Sequence, residues 1–259
     1  MGLFDFFKKK NPPQEHPLTP FEEIMKKASG DVAYRAAFYK ELIANKLTVI
    51  TSGDEPYQEG EKVLREATIV GIYSYADGRI PVFTSPGRIM DKNIIKERVR
   101  FMEMNATDLL KIIGGATILL NPYSDFGKEL LPAEVKRILD GTILGSHKQM
   151  VMEKDTQVRI GQPAVYPHDI VNNLCRLYKE RPTVKAAYIA WIHYPESNEP
   201  PHYIFALDIS GDKSEVFSET GFIAKQSLKP EEFIDIVKLS SSGEGIDNYF
   251  LSQEPFYRS

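Results

Sequence analysis

The chain has 259 residues, of which 42% are hydrophobic and 26% charged, an ordinary globular composition that at about 150 residues per domain makes one large domain or two small ones. Its single cysteine, Cys175, excludes an intrachain disulfide framework, and a net charge of −4 with an isoelectric point near 5.8 speaks against a general nucleic-acid binder. No apolar run approaches the about 20 residues needed to span a bilayer, so the expectation is a soluble cytoplasmic protein.

The chain opens on Met1-Gly2-Leu3-Phe4-Asp5-Phe6-Phe7 followed by Lys8-Lys9-Lys10. A secretory signal places its positive charge first and a longer apolar stretch after it, so the order here is reversed. Phe6 also stands where a myristoylation motif wants Ser or Thr. The functional reading is a short amphipathic foot, with Phe4, Phe6 and Phe7 at a membrane interface and Lys8, Lys9 and Lys10 on acidic headgroups, giving a peripheral contact with the inner membrane. The alternative is a frayed tail whose phenylalanines dock on the protein or on nothing. With the proline-rich stretch Asn11 to Pro17, residues 1–17 read as tail and linker.

Thr19-Pro20 predicts a helix start, with Thr19 as N-cap, Pro20 at the first helical position and Glu22 and Glu23 in the first turn. A second helix follows Asp31, its apolar face built from Val32, Ala36, Tyr39 and Ile43, and Leu47 to Thr51 reads as a β-branched strand. Ala67 to Tyr75 and Ile80 to Thr84, joined by Asp77-Gly78, read as a hairpin. Val99 to Met104 predicts a strand, then a short helix to Gly114-Gly115, a strand over Ala116 to Leu120 ended by Asn121-Pro122, and a helix from Pro132 to Leu139. These elements make a mixed α/β domain over residues 18–145.

The second half, residues 146–259, predicts a strand over Gln149 to Ile160, a helix from Pro167 to Glu180, strands over Val184 to His193 and Tyr203 to Ile209, a helix over Lys213 to Gln226, a strand over Phe233 to Leu239 and a last helix over Ile246 to Leu251. The order β-α-β-β-α-β plus a terminal helix suggests a ferredoxin-like arrangement. The fold class expected is therefore α+β or mixed α/β, in two domains.

Several of these segments, in this order, resemble the bacterial SseB family, named for enhanced serine sensitivity. The stretch FEEIMKKASGDVAYRAAFYKELIANKLTVI from Phe21 to Ile50 is similar to its opening helix, helix and strand. Ile80-Pro81-Val82-Phe83-Thr84-Ser85 resembles its PVFTS block. Leu119-Leu120-Asn121-Pro122, Gly127-Lys128-Glu129-Leu130 and Pro132-Ala133-Glu134-Val135 resemble its LNP and GKEL segments, and Pro255-Phe256-Tyr257 its closing PFY. The resemblance runs from about Phe21 to Tyr257 in a two-part layout. It implies N-terminal and C-terminal SseB-like domains and a theme of serine sensitivity, and carries over neither an activity nor a cofactor.

Two loops stand out as a candidate surface for a protein partner or a small ligand. Asn121, Tyr123 and Lys128 crowd the C-terminal end of an apolar strand, where open α/β sheets tend to bind ligands. Phe83, Thr84 and Ser85 would join them if the two strands are neighbours. The structural alternative is that Asn-Pro starts a turn, Gly127 relieves one, Lys128 is solvated, and Thr84 or Ser85 caps the next turn. Ser85 lacks a Gly-x-Ser-x-Gly elbow, Gly114-Gly115 lacks phosphate-loop spacing, and no acid–base pair can be named, so no catalytic residue is assigned. His193 and His202 flank one connection and could face each other as metal ligands, but two histidines without a third ligand make a weak zinc site, and exposed hairpin ends are the better reading; no metal and no cofactor are expected. Cys175 reads as a buried inert thiol. The expected function is a non-enzymatic regulatory or interaction module. Its alternatives are an enzyme whose site assembles only in the fold and a membrane-associated module working through residues 1–10.

Overall fold

The computed structural model describes residues 16–52, 70–97, 99–145, 157–197, 199–229, 231–240 and 243–259. The foot, with Phe4, Phe6, Phe7, Lys8, Lys9 and Lys10, lies outside the described residues, as do most of the proline-rich linker and of the strand expected from Gln149. The chain forms two compact units, one of residues 1–29 with 38–140 and the other of residues 30–37 with 141–259. The chain passes from the first unit to the second after residue 140, and the eight residues before Phe38 also belong to the second unit.

In the first unit, helix α1 (Pro20–Gly30) starts as the Thr19-Pro20 pair predicts. Thr19 N donates to Glu22 Oε2 at 2.9 Å and Glu22 N donates to Thr19 Oγ1 at 3.3 Å, a reciprocal capping box that satisfies two otherwise orphaned donors. Phe21, Met25 and Ala28 line its buried face at helical spacing. Helix α2 (Arg35–Ala44) contributes buried Phe38 and Leu42 to this core.

The sheet is built on β1 (Lys46–Ser52), whose Leu47, Val49 and Ile50 are buried. One edge of β1 pairs antiparallel with β4 (Phe101–Asn105); the other pairs with β2 (Gly71–Ile72) and β3 (Ile80–Phe83) in turn. The turn expected at Asp77-Gly78 forms, with Gly78 N donating to the Tyr75 carbonyl at 2.9 Å. The hairpin expected on either side of it does not zip up among the described residues, because β2 and β3 both find their partner in β1. Beyond β3, the chain passes through a 3₁₀ stretch (Pro86–Asn93) broken at Asp91 and Lys92, then through β4 and α3 (Ala106–Ile112). It returns as β5 (Ile118–Leu120), parallel to β3, with Val82 opposite Leu120. Strand β6 (Lys128–Leu130) closes that edge antiparallel to β5, and α4 (Pro132–Leu139) buries Val135 and Ile138.

The second unit holds β7 (Arg159–Gly161), α5 (His168–Lys179), β8 (Val184–His193), β9 (His202–Ile209), α6 (Ser214–Lys225), β10 (Ile234–Lys238), α7 (Ile246–Leu251) and β11 (Tyr257–Arg258). The expected β-α-β-β-α-β order along the chain is present, but the sheet is not ferredoxin-like. That arrangement inserts the first strand between the third and the fourth, antiparallel to both. Here β7 pairs antiparallel with β8, and the strands run β10-β9-β8, with β7 and β11 sharing the far edge of β8. The reason lies in β9: one edge is zipped to β8 and the other accepts β10 in parallel after the α6 crossover, which leaves β7 no place beside β9.

Strand β8 is buried along most of its ten residues because both faces of the sheet are covered. On one face Tyr188, Ala190, Ile192, Ile204 and Ala206 pack with Phe250 of α7. Helix α5 buries Ile170, Val171, Leu174, Leu177 and Tyr178, the stripe read from sequence. Its C-terminal end meets α6 through polar contacts. Arg181 grips the buried Glu219 carboxylate with two bonds of 2.7 Å, and the Tyr178 hydroxyl pairs with Thr220 Oγ1 at 3.1 Å.

Candidate functional site

Parallel pairing of β3 and β5 sets the geometry of both candidate loops. With Val82 opposite Leu120, the chains leave the sheet side by side, and Thr84 meets Asn121. Asn121 adopts a left-handed backbone conformation, φ +49°, which Asn tolerates better than other non-glycine residues. Its side chain is fully buried. Asn121 Oδ1 accepts from Thr84 N at 2.9 Å, and Asn121 Nδ2 donates to Thr84 Oγ1 at 2.8 Å. The Thr84 hydroxyl in turn donates to Glu22 Oε1 at 2.6 Å.

Glu22 is the centre of this network. Its Oε1 also accepts from Ser85 Oγ at 2.9 Å, while its Oε2 holds the capping-box bond from Thr19. The carboxylate is fully buried, and the buried Arg88 guanidinium stands beside it, Nε 3.3 Å from Oε1. Arg88 Nε lies off the axis of a straight hydrogen bond, and the attraction there is between charges. The Nη atoms donate to the His16 and Pro17 carbonyls at 2.6 and 3.2 Å and face Asp91 at 3.3 Å. A buried charge pair of this kind stands only because its remaining valences are filled. Ser85 occupies the N-cap position of the 3₁₀ stretch without capping it; its hydroxyl goes to Glu22 instead.

Of the residues singled out from sequence, Thr84, Ser85 and Asn121 are thus brought together, with Phe83 buried beneath them. Tyr123 is half-buried, its ring 5.4 Å from that of Phe83 and its hydroxyl receiving a 3.1 Å bond from Tyr75. Tyr73, exposed, packs edge-on against Tyr75. Burial, reinforced by the bond to Tyr123, pushes the Tyr75 phenol well above the ordinary tyrosine range. Lys128 lies apart from the network: its Nζ is 2.9 Å from Glu134 Oε1 and 5.9 Å from the centre of the Tyr39 ring. Its charge is spent on α4.

Gly127 explains the tightness of the second loop. A Cβ there would sit 2.7 Å from the Asn121 carbonyl oxygen and 3.2 Å from that of Leu120, so the backbone that approaches closely is the chain's own. Ser124 bonds to Asp91 and Lys92 to Asp125, tying the loop to the kinked 3₁₀ stretch. Glu22 and Arg88 escaped sequence reasoning. The spacing Thr19-x-x-Glu22 carries the capping-box signature, whereas nothing in the sequence around Arg88 announces a buried guanidinium.

In the second unit, register separates the two histidines that flank the connection between β8 and β9. His202 stands opposite Ile192, so His193, one residue on, projects to the other face of the sheet. No group of three or more metal-binding side chains occurs among the described residues. Cys175 is partly buried, its Sγ 3.6 Å from the Phe256 carbonyl, and burial raises its thiol above the ordinary range. No helix among the described residues is long and apolar enough to cross a membrane.

Comparison with known proteins matches both halves. Residues 21–137 fit the family model of the SseB protein N-terminal domain, and residues 152–258 that of the SseB protein C-terminal domain. Among curated proteins, the chain is 27% identical to Protein SseB of Escherichia coli (strain K12) over 242 residues, covering 91% of this chain and 90% of that one. The same figures hold for Protein SseB of Shigella flexneri. No solved structure matches the chain.

Proposed function

We propose a partner-binding role for this chain, which belongs to the SseB family in both of its halves. In this reading it is a non-enzymatic cytoplasmic module, linked to the serine theme of the family name, that engages a protein through its first unit. The observation carrying the reading is the tyrosine cluster Tyr73, Tyr75 and Tyr123, seated on Phe83 and reaching solvent at Tyr73. Tyrosines held rigid before contact lose little entropy on binding and are enriched at protein interfaces. The buried polar network supports that rigidity at Asn121, two residues before Tyr123, and the Tyr75–Tyr123 bond extends it to the cluster.

The same network argues for binding over bond-making. The Thr84 and Ser85 hydroxyls both donate to a carboxylate already paired with Arg88. A nucleophile needs a base free to take its proton, and neither hydroxyl has a histidine as hydrogen-bond partner among the described residues.

The test is site-specific photo-crosslinking in bacterial cells. A crosslinker at position 73 should trap a discrete protein that the same group at the exposed position 185 of the second unit does not trap, and Tyr123→Ala should abolish the adduct. Identical adducts from both positions, or none from position 73, would overturn the proposal.

A further inference from the structure

His202 opens β9 and is buried, with 4% of its surface exposed. Strand periodicity brings two other polar groups to it. Ile192 lies opposite His202, and Tyr194 follows two residues after Ile192 on the same face. Asp235 lies opposite Ile204, two residues after His202, through the parallel pairing of β9 and β10. Three polar side chains therefore meet at one end of the apolar face formed by Ile192, Ile204 and Ala206.

Both nitrogens of the His202 ring face oxygen acceptors. Nδ1 is 2.9 Å from the Pro200 carbonyl and Nε2 is 3.2 Å from Asp235 Oδ2. Tyr194 donates to that same Oδ2 at 2.7 Å, and the Phe233 ring covers the imidazole with centroids 4.2 Å apart. A neutral imidazole carries one N–H and one lone pair, so either tautomer would turn a lone pair onto an oxygen. Only the imidazolium offers a proton to each. The Nε2 contact is also off the axis of a straight hydrogen bond, so it is attractive chiefly while the ring is charged. The charged groups acting on the ring are Asp235 from β10 and Glu199 from the connection before β9; both favour the cation, and Tyr194 is the other titratable neighbour.

We propose that His202, Asp235 and Tyr194 form a proton-operated latch: the charged ring pins the connection leading from Tyr194 into β9 onto the start of β10, and loss of its proton frees that connection. Burial by itself pulls the His202 pKa down, but the Asp235 and Pro200 contacts and the charges of Asp235 and Glu199 outweigh it and raise it above the ordinary histidine value. The latch is therefore closed in mild acid and opens as pH rises through that raised value.

The experiment is an NMR titration of the full chain from about pH 5.5 to about pH 9, spanning ordinary histidine titration, with the His202 ring signals assigned in the wild type by through-space transfer to the Phe233 ring. Amide exchange at Ser197 and Glu199 is followed in parallel. The ring should titrate above the ordinary value of about 6.5, and the exchange of both amides, corrected for intrinsic rates, should rise by on the order of tenfold through the same midpoint. Asp235→Asn should bring the midpoint below 6.5. A wild-type ring titrating at or below 6.5, or amide exchange with no step at the ring's midpoint, would overturn the latch; both readings come from the wild-type chain and survive a variant that fails to fold.

Discussion

Thr84 and Asn121 exchange two hydrogen bonds where the parallel strands β3 and β5 end, backbone to side chain at 2.9 Å and side chain to side chain at 2.8 Å. Asn121 is thus both the turn residue and the tie between two loops. Asn121→Ala removes both bonds and forces alanine into a left-handed conformation. A loss of about 3 kcal/mol is expected from unpaired buried polar groups and backbone strain together. Asn121→Gly should recover part of it, because glycine accepts the conformation freely. Urea unfolding of the three proteins measures both; equal losses for alanine and glycine would show that strain contributes nothing.

The Glu22–Arg88 pair makes a sharper demand. Glu22→Gln keeps the shape but removes one of the carboxylates facing the buried guanidinium and leaves Asp91 to balance it, at a cost of about 2 kcal/mol. Replacing both residues, as in Glu22→Gln with Arg88→Met, should be less damaging than the sum of the single changes. A double-mutant cycle in denaturant reads the coupling, and strict additivity would mean that the pair is not coupled in solution.

Gly127→Ala tests the close approach to Asn121. With a Cβ 2.7 Å from a backbone oxygen, the loop has to shift, and overpacking of this kind costs about 1–3 kcal/mol. The thermal midpoint should fall accordingly, while Gly161→Ala, where a Cβ would meet nothing within 4 Å, should leave it almost unchanged.

Stability should depend on pH at two edges. The folded His202 has a raised pKa, so its contribution is complete below the unfolded value of about 6.5 and is lost as pH rises through the folded one. For Asp235, burial by itself pushes the pKa up, but the bonds from His202 and Tyr194 and the His202 charge hold it below the ordinary value. Its contribution is complete above the unfolded value and is lost as pH falls through the folded one. Unfolding free energy measured against pH should show both edges in the wild type. Tyr194→Phe should shrink the acid edge by removing the bond to the carboxylate; an unchanged profile would sink that assignment.

Elements whose apolar residues follow a clean period were legible in the sequence. The stripe Ile170, Val171, Leu174, Leu177 and Tyr178 announces α5, and the β-branched and aromatic run over Val184 to His193 announces β8. What the linear pattern did not carry was which strand edge each element would occupy. β2 and β3 have turn chemistry between them yet both pair with β1, and β7 follows ferredoxin-like element order yet pairs with β8. Both outcomes depend on competition for hydrogen-bonding edges far apart in sequence. The candidate loops were legible as polar crowding around Asn121 and Thr84. Their burial was not, because it depends on Glu22 and Arg88, 62 and 4 residues from Thr84, folding over them. Burial takes Asn121 off the surface, whereas Tyr73 is exposed.

The eight residues 30–37 that belong to the second unit change what a domain means for this chain. Tyr34 donates to Glu180 at 3.0 Å, Arg35 to Gln226 at 3.1 Å, and Asp31 receives Arg176 at 3.6 Å. A gene fragment beginning after residue 145 would encode a unit lacking part of its own surface, with Arg176 of α5 and Glu180 just beyond it deprived of these contacts. Recombination that exchanges the C-terminal half alone would therefore carry a misfit unless residues 30–37 travelled with it, and inheritance of the two halves as a single gene is what the interleaving favours.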